Sequence, residues 1–162
     1  MKNLFRVLLL LSMAFTACES DSVDPNNGTT PPQNLPSVGD NEVSFTKAAN
    51  TDPNSEANQD RITDNVWITR GNDGGQIFNI KENSTYSKNS SPVGTEWAVG
   101  TVENKDNLTF APFRTAVKPK EVVGQSLVVH LIQDNIYLNI RFTSWSTSKS
   151  GGFAYVRDAV PE

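Results

Sequence analysis

The sequence predicts an all-β domain, an antiparallel β-sandwich of jelly-roll-like outline with about eight short strands, and three observations predict it. Apolar and polar residues alternate over short runs, polar turns rich in Asn, Ser, Thr and Gly separate those runs, and no segment keeps a helical apolar period over three turns. The clearest run is Leu127–Trp145, LVVHLIQDNIYLNIRFTSW. With Asp134-Asn135 as a two-residue turn, Leu127, Val129 and Leu131 fall opposite Phe142, Ile140 and Leu138, which makes one face wholly apolar. The other face then pairs Ile132 with Tyr137, His130 with Asn139 and Val128 with Arg141. A three-residue loop would shift the register by one and mix the two faces.

The remaining elements follow in chain order. Glu42–Lys47 alternates around Val43 and Phe45 and predicts the first strand. Arg61–Arg70 places Val66 and Ile68 on one face and Trp67 and Thr69 on the other, and Gly71-Asn72-Asp73-Gly74-Gly75 turns it into Gln76–Ile80 as a hairpin. Ser84–Thr95 is a polar loop. Glu96–Thr101 and Asn107–Phe110 predict two more strands around a turn at Glu103–Asp106, and Phe153–Arg157 closes the domain, with Phe153, Tyr155 and Arg157 on one face.

At 162 residues the chain has room for one such domain, 41–162, after a leader (1–17) and a linker (18–40). Lys2 and Arg6 followed by Val7-Leu8-Leu9-Leu10-Leu11 read as a secretion signal, too short to remain as a membrane span. The leader ends Phe15-Thr16-Ala17-Cys18, which resembles the bacterial lipobox, and Cys18 is the only cysteine. That resemblance implies a lipidated Cys18 that tethers the domain to a membrane without crossing it, each buried methylene contributing about 0.8 kcal/mol. The alternative for Cys18 is an ordinary buried thiol. Glu19, Ser20 and Asp21 resemble the acidic export signal of Bacteroidota surface lipoproteins, which implies the outer membrane and an exterior-facing domain; the same acids also suit a plain soluble tether. Prolines at 25, 31, 32 and 36 and few large apolar residues make 18–40 an extended spacer.

Loss of Lys2 and Arg6 with the leader leaves 12 basic against 18 acidic residues, a charge near −6. That balance argues against a nucleic-acid partner. Within Thr51–Asp60, the oxygen-bearing side chains of Asp52, Asn54, Glu56, Asn58 and Asp60 alternate as a Ca²⁺ loop would require, but the glycine that lets an EF-hand loop turn is missing, so a solvated polar loop stands beside the calcium reading.

The runs NQDRITDNVWITR (Asn58–Arg70), SPVGTEWAVG (Ser91–Gly100), DNIYLNIRFTSW (Asp134–Trp145) and GGFAYVR (Gly151–Arg157) resemble an uncharacterised β-sandwich module of secreted bacterial proteins, as expected of a Bacteroidota-type surface lipoprotein. The resemblance implies export and the domain boundaries and brings no activity with it.

Nucleophilic catalysis has little to work with: His130 is the only imidazole, no Gly-x-Ser-x-Gly elbow is present, and one His without a free thiol leaves too few ligands for zinc. Paired carboxylates among Asp60, Asp64, Glu96 and Asp134, each near a predicted strand end, are the surviving enzyme reading, a small carbohydrate-active enzyme. The favoured expectation is non-catalytic binding of a glycan or a surface protein through Trp67, Tyr137, Arg141, Trp145 and Tyr155, since flat rings stack on sugars and anchor partners. Trp145 and Tyr155 flank the hydroxyl-rich loop Ser146–Gly152. Trp97 is expected in the core, and the arginines are alternatively partners for Asp60, Asp64 or Glu96. A structural surface component is the remaining alternative.

Overall fold

A computed structural model describes residues 41–162; Cys18, the leader and the linker lie outside the described residues. The strands are β1 (Glu42–Lys47), β2 (Asp60–Arg61), β3 (Trp67–Arg70), β4 (Ile77–Asn79), β5 (Thr95–Val99), β6 (Leu127–Leu131), β7 (Ile136–Trp145) and β8 (Phe153–Asp158), with a short α-helix, α1 (Phe113–Ala116), and three 3-10 turns among the described residues. They form two antiparallel sheets, one ordered β1-β8-β7-β6-β5 and one ordered β2-β3-β4. The larger sheet is thus a meander from β5 to β8, with the first strand returning to its open edge. A single apolar cluster lies between the sheets: Ile62, Val66, Ile68 and Ile77 from the smaller side meet Trp97, Leu127, Val129, Leu138, Ile140 and Phe142 from the larger. The sandwich class follows from that one shared core.

The central hairpin forms in a register two residues away from the one the sequence predicts. Leu127 pairs with Ile140, Val129 with Leu138, His130 with Tyr137 and Leu131 with Ile136, so the connection is the longer loop Ile132–Asn135. A two-residue slip leaves every side chain on its original face, so the apolar alternation is equally satisfied by both registers. The longer loop is fixed by Asn135 at φ +52, a left-handed position that Asn tolerates, and by the Ile132 amide donating to the Gly94 carbonyl at 2.9 Å.

A second difference lies at the partner expected for Glu96–Thr101. Asn107–Phe110 is not a strand; Val102–Asn107 is a 3-10 helix, and only Ala111 reaches Trp97, in a single reciprocal bridge. The intervening chain instead packs against the outer side of the sheet, where Asn139 accepts from the Val102 amide at 2.8 Å.

A bulge in β7 decides where the last tryptophan goes. Phe142 pairs with Tyr155, but the next pairs are Ser144 with Ala154 and Trp145 with Phe153, so the ladder slips at Thr143. Unbroken alternation would place Ser144 beside Phe142 on the core face and send Trp145 outward. The extra residue reverses this, and the Trp145 ring packs on Phe113, Phe142 and Phe153 at centroid distances of 6.1, 5.7 and 6.3 Å.

Past Trp145, the loop to β8 is held by Gly151 at φ +68, where a Cβ would strike Asn72 Oδ1 and come within 2.5 Å of the Gly71 carbonyl oxygen. Gly151→Ala is therefore expected to destabilise the fold by about 2–3 kcal/mol, read as a lowered midpoint in thermal or urea unfolding. An unchanged midpoint would show that the loop moves freely against Gly71.

Candidate functional site

The residues singled out in the sequence do not converge. Tyr155 is 1% exposed, and it is a core residue rather than a ligand platform: its hydroxyl donates to Asp60 Oδ2 at 2.6 Å. The inward phase of β8, set by the pairing of Phe45 with Tyr155, places it there. Burial and then the Asp60 charge push its phenol well above its ordinary pKa. Arg157 completes the pair, with Nε and Nη2 donating to the two Asp60 oxygens at 2.7 and 2.9 Å. Burial pulls that guanidinium's pKa down, and the hydrogen bonds and charge of Asp60 more than offset it, so the net shift is upward.

Trp67 lies half-buried on the smaller sheet with its indole N–H donated to the Thr63 carbonyl, and the Arg61 guanidinium lies 4.2 Å from its ring. Tyr137 stacks on His130 at 4.0 Å, nearly parallel, under the edge of Phe110. His130 Nδ1 is 2.8 Å from Glu96 Oε1, and its Nε2 is buried without a partner. Arg141, half-buried on the same outer face, also keeps a buried Nε with no partner.

The proposed calcium ligands turn their oxygens to other uses. Asp52 Oδ1 accepts from the Asn54 amide and side chain at 2.9 and 3.0 Å, and Asn58 donates to the Asp52 carbonyl. Glu56 pairs with Arg61 at 2.6 Å, and Asp60 points into the core at Arg157. Asn and Asp in a turn readily bond their own backbone, and this arrangement gives the loop its alternating pattern without a cation. Among the described residues, no three His, Cys, Asp or Glu side chains gather as a metal site would need. The carboxylates considered for hydrolysis are likewise dispersed: Asp60 faces Arg157, Glu96 faces His130, and Asp134 accepts from Thr63 and Asn65 at 2.7 Å each. Asp64 is exposed.

Trp145 is different, because the bulge brings it to the wall of a cleft of about 590 Å³. That size is ordinary for a small-ligand site. Three segments build it: the β3–β4 turn with Arg70, the chain from Arg114 through Lys118 and Lys120, and Trp145 with the loop Ser146–Lys149. The second of these is held by Phe113, fully buried against Trp97, Phe142 and Trp145, since four helical residues do not stand alone.

At the back of the cleft the Arg70 guanidinium lies 3.9 Å over the Trp145 ring. Arg70 is 4% exposed and donates to the carbonyls of Gly75, Ser146 and Gly152 at 3.0–3.1 Å. Burial brings its pKa down to about 10, so it stays charged at neutral pH. Lys47, 1% exposed, lies on the same side of the fold, bound to the Thr51 carbonyl and Asn72 Oδ1. Burial and then the Arg70 charge lower its pKa. No family model, curated protein or solved structure matches this chain.

The cleft is thus known by its chemistry: one half-buried indole, exposed hydroxyls at Thr147 and Ser148, and cations from three segments. Of the ligand-binding residues named from sequence, only Trp145, with its adjoining loop, belongs to it; Arg70, expected as a partner for a carboxylate, lines it without one. Arg114, Lys118, Lys120 and Lys149 were missed. The one signal for them is that three of the acidic chain's 14 basic residues fall within 114–120.

Proposed function

We propose that the protein is a non-catalytic binding module, tethered by a lipid on Cys18 to the outer face of an outer membrane, whose cleft at Trp145 takes a glycan. The observation that carries the reading is the Trp145 ring set at a cleft wall beside the hydroxyls of Ser146–Ser148. An indole gives a sugar an apolar surface, neighbouring hydroxyls donate to and accept from its ring substituents, and guanidinium N–H groups donate to them. The engagement of Asp60, Glu96 and Asp134 with other partners favours binding over hydrolysis. The lipobox-like Cys18 and the proline-bearing spacer support a role at a surface, where a tether holds the cleft clear of the bilayer.

The full chain, as the cell processes it, should retain glycans on an array, and Trp145→Ala should weaken that binding by about tenfold or more. Because Trp145 also packs on Phe113, Phe142 and Phe153, Thr147→Ala serves as a second variant: Thr147 is exposed, and its loss leaves the core intact. Binding that survives both changes, or an array on which nothing is retained, would remove the glycan reading.

A further inference from the structure

We infer that the cleft selects anionic saccharides, those carrying carboxylate or sulfate groups. This rests on the cleft being the glycan site and names the ligand class it accepts. Five basic side chains line it, Arg70, Arg114, Lys118, Lys120 and Lys149, against one acid, Glu121. The chain as a whole carries more acids than bases, so this concentration runs against its composition.

The cations also lack internal partners. Among the described residues, the only ion pair made by any of the five is Lys118 with Glu121, 3.6 Å apart and exposed on both sides. Arg70 is the telling case, since a guanidinium this buried is ordinarily matched to a carboxylate, as Arg157 is matched to Asp60. Arg70 has only carbonyl oxygens and the Trp145 face. Carbonyl oxygens accept from its Nε and Nη1 and leave its charge uncompensated, and the buried Lys47 ammonium nearby adds to the same positive potential. A concave site with low-dielectric walls focuses that potential outward.

An anion entering from solvent meets Lys118, Lys120, Lys149 and Arg114 at the rim, all exposed, and Arg70 and Trp145 behind them. A sugar ring against the part of the indole that Arg70 and Phe113 leave open to the cleft, with its acidic group toward the rim cations, uses both the ring and the charge. A nucleic acid carries its charge on the phosphodiester links and not on a group borne by the sugar ring, so it does not present ring and acidic group together to this cleft.

The test uses the full chain with polygalacturonate as carboxylate probe, dextran sulfate as sulfate probe, neutral dextran, a single-stranded oligonucleotide and phosphatidylglycerol vesicles. One or both acidic polysaccharides should bind at least tenfold tighter than dextran, and which of them does separates carboxylate from sulfate. The triple variant Lys118→Ser, Lys120→Ser, Lys149→Ser should weaken that binding about tenfold or more and flatten its dependence on salt, while the unfolding midpoint stays in place. Neutral dextran held as tightly as the acidic polymers and lost with Trp145→Ala would overturn the anionic preference and leave the glycan site standing. No polysaccharide bound at all would overturn both readings. Tighter binding of the oligonucleotide or the vesicles, or a triple variant that binds acidic polysaccharide as before, would also overturn the anionic-saccharide assignment.

Discussion

Asp60→Asn is expected to lower stability by about 3–5 kcal/mol, seen as a large drop in the urea midpoint with little change in slope. Asp60 sits in the core with Arg157 and Tyr155, and both side chains of the ion pair are nearly closed to water, at 6% and 8% exposure. The substitution keeps the volume and removes the charge, leaving a buried guanidinium facing an amide that presents its own N–H donors. Removing one member of a buried pair costs far more than the pair's net contribution, because the other charge stays behind in a low-dielectric site. Arg157→Met in the same chain should recover part of the loss, since no unpaired charge then remains, and the two changes should be strongly non-additive. The exposed pair Arg61–Glu56 supplies the contrast, at 38% and 75% exposure. Its disruption should cost well under about 1 kcal/mol. A similarly small effect at Asp60 would show that water reaches the pair.

Phe113→Ala should cost a comparable amount, about 3–5 kcal/mol, and in addition should disturb the cleft. Phe113 is fully buried, with its ring 4.9 Å from Trp97 and 5.8 Å from Phe142. Its truncation opens a cavity at the centre of the aromatic cluster. Because the ring is also what pins α1, the wall carrying Arg114, Lys118 and Lys120 loses its anchor. Acidic polysaccharide binding should therefore fall even at temperatures where the protein remains folded, whereas Asp60→Asn should affect binding only in step with unfolding. Calorimetric titration beside near-ultraviolet circular dichroism separates the two. Undiminished binding by a folded Phe113→Ala protein would show that the wall is held by other contacts.

The difference between these two sites tracks what the sequence could express. Alternation marked β1, β4 and β8 closely, because strand period is local, whereas Arg61–Arg70, expected as one strand, is broken by a turn at Ile62–Val66 into β2 and β3, which pair antiparallel with each other. Asn107–Phe110 failed the same test: its alternation is too short to outweigh a 3-10 turn, and nothing local shows that only Ala111 would reach a strand. The oxygen-rich loop Asp52–Asp60 has the composition of a cation site and the hydrogen bonds of a self-satisfied turn, which composition alone does not separate. Tyr155 and Trp145 are both aromatic residues late in the chain, beside the same loop. One is core and the other lines a cleft, and the distinction depends on how β7 pairs with β8.

By itself the sequence determined which side of each strand is apolar, hence the all-β class and the membership of most of the core, because burial of alternate residues is written into spacing. Tertiary structure alone decided the hairpin register, since a shift of two leaves that spacing satisfied, and the bulge at Thr143, which turns Trp145 toward the core edge. It alone also gathered cations from positions 70, 114–120 and 149 into one cleft, because their proximity arises from pairings between segments far apart in the chain, and no local pattern carries that information.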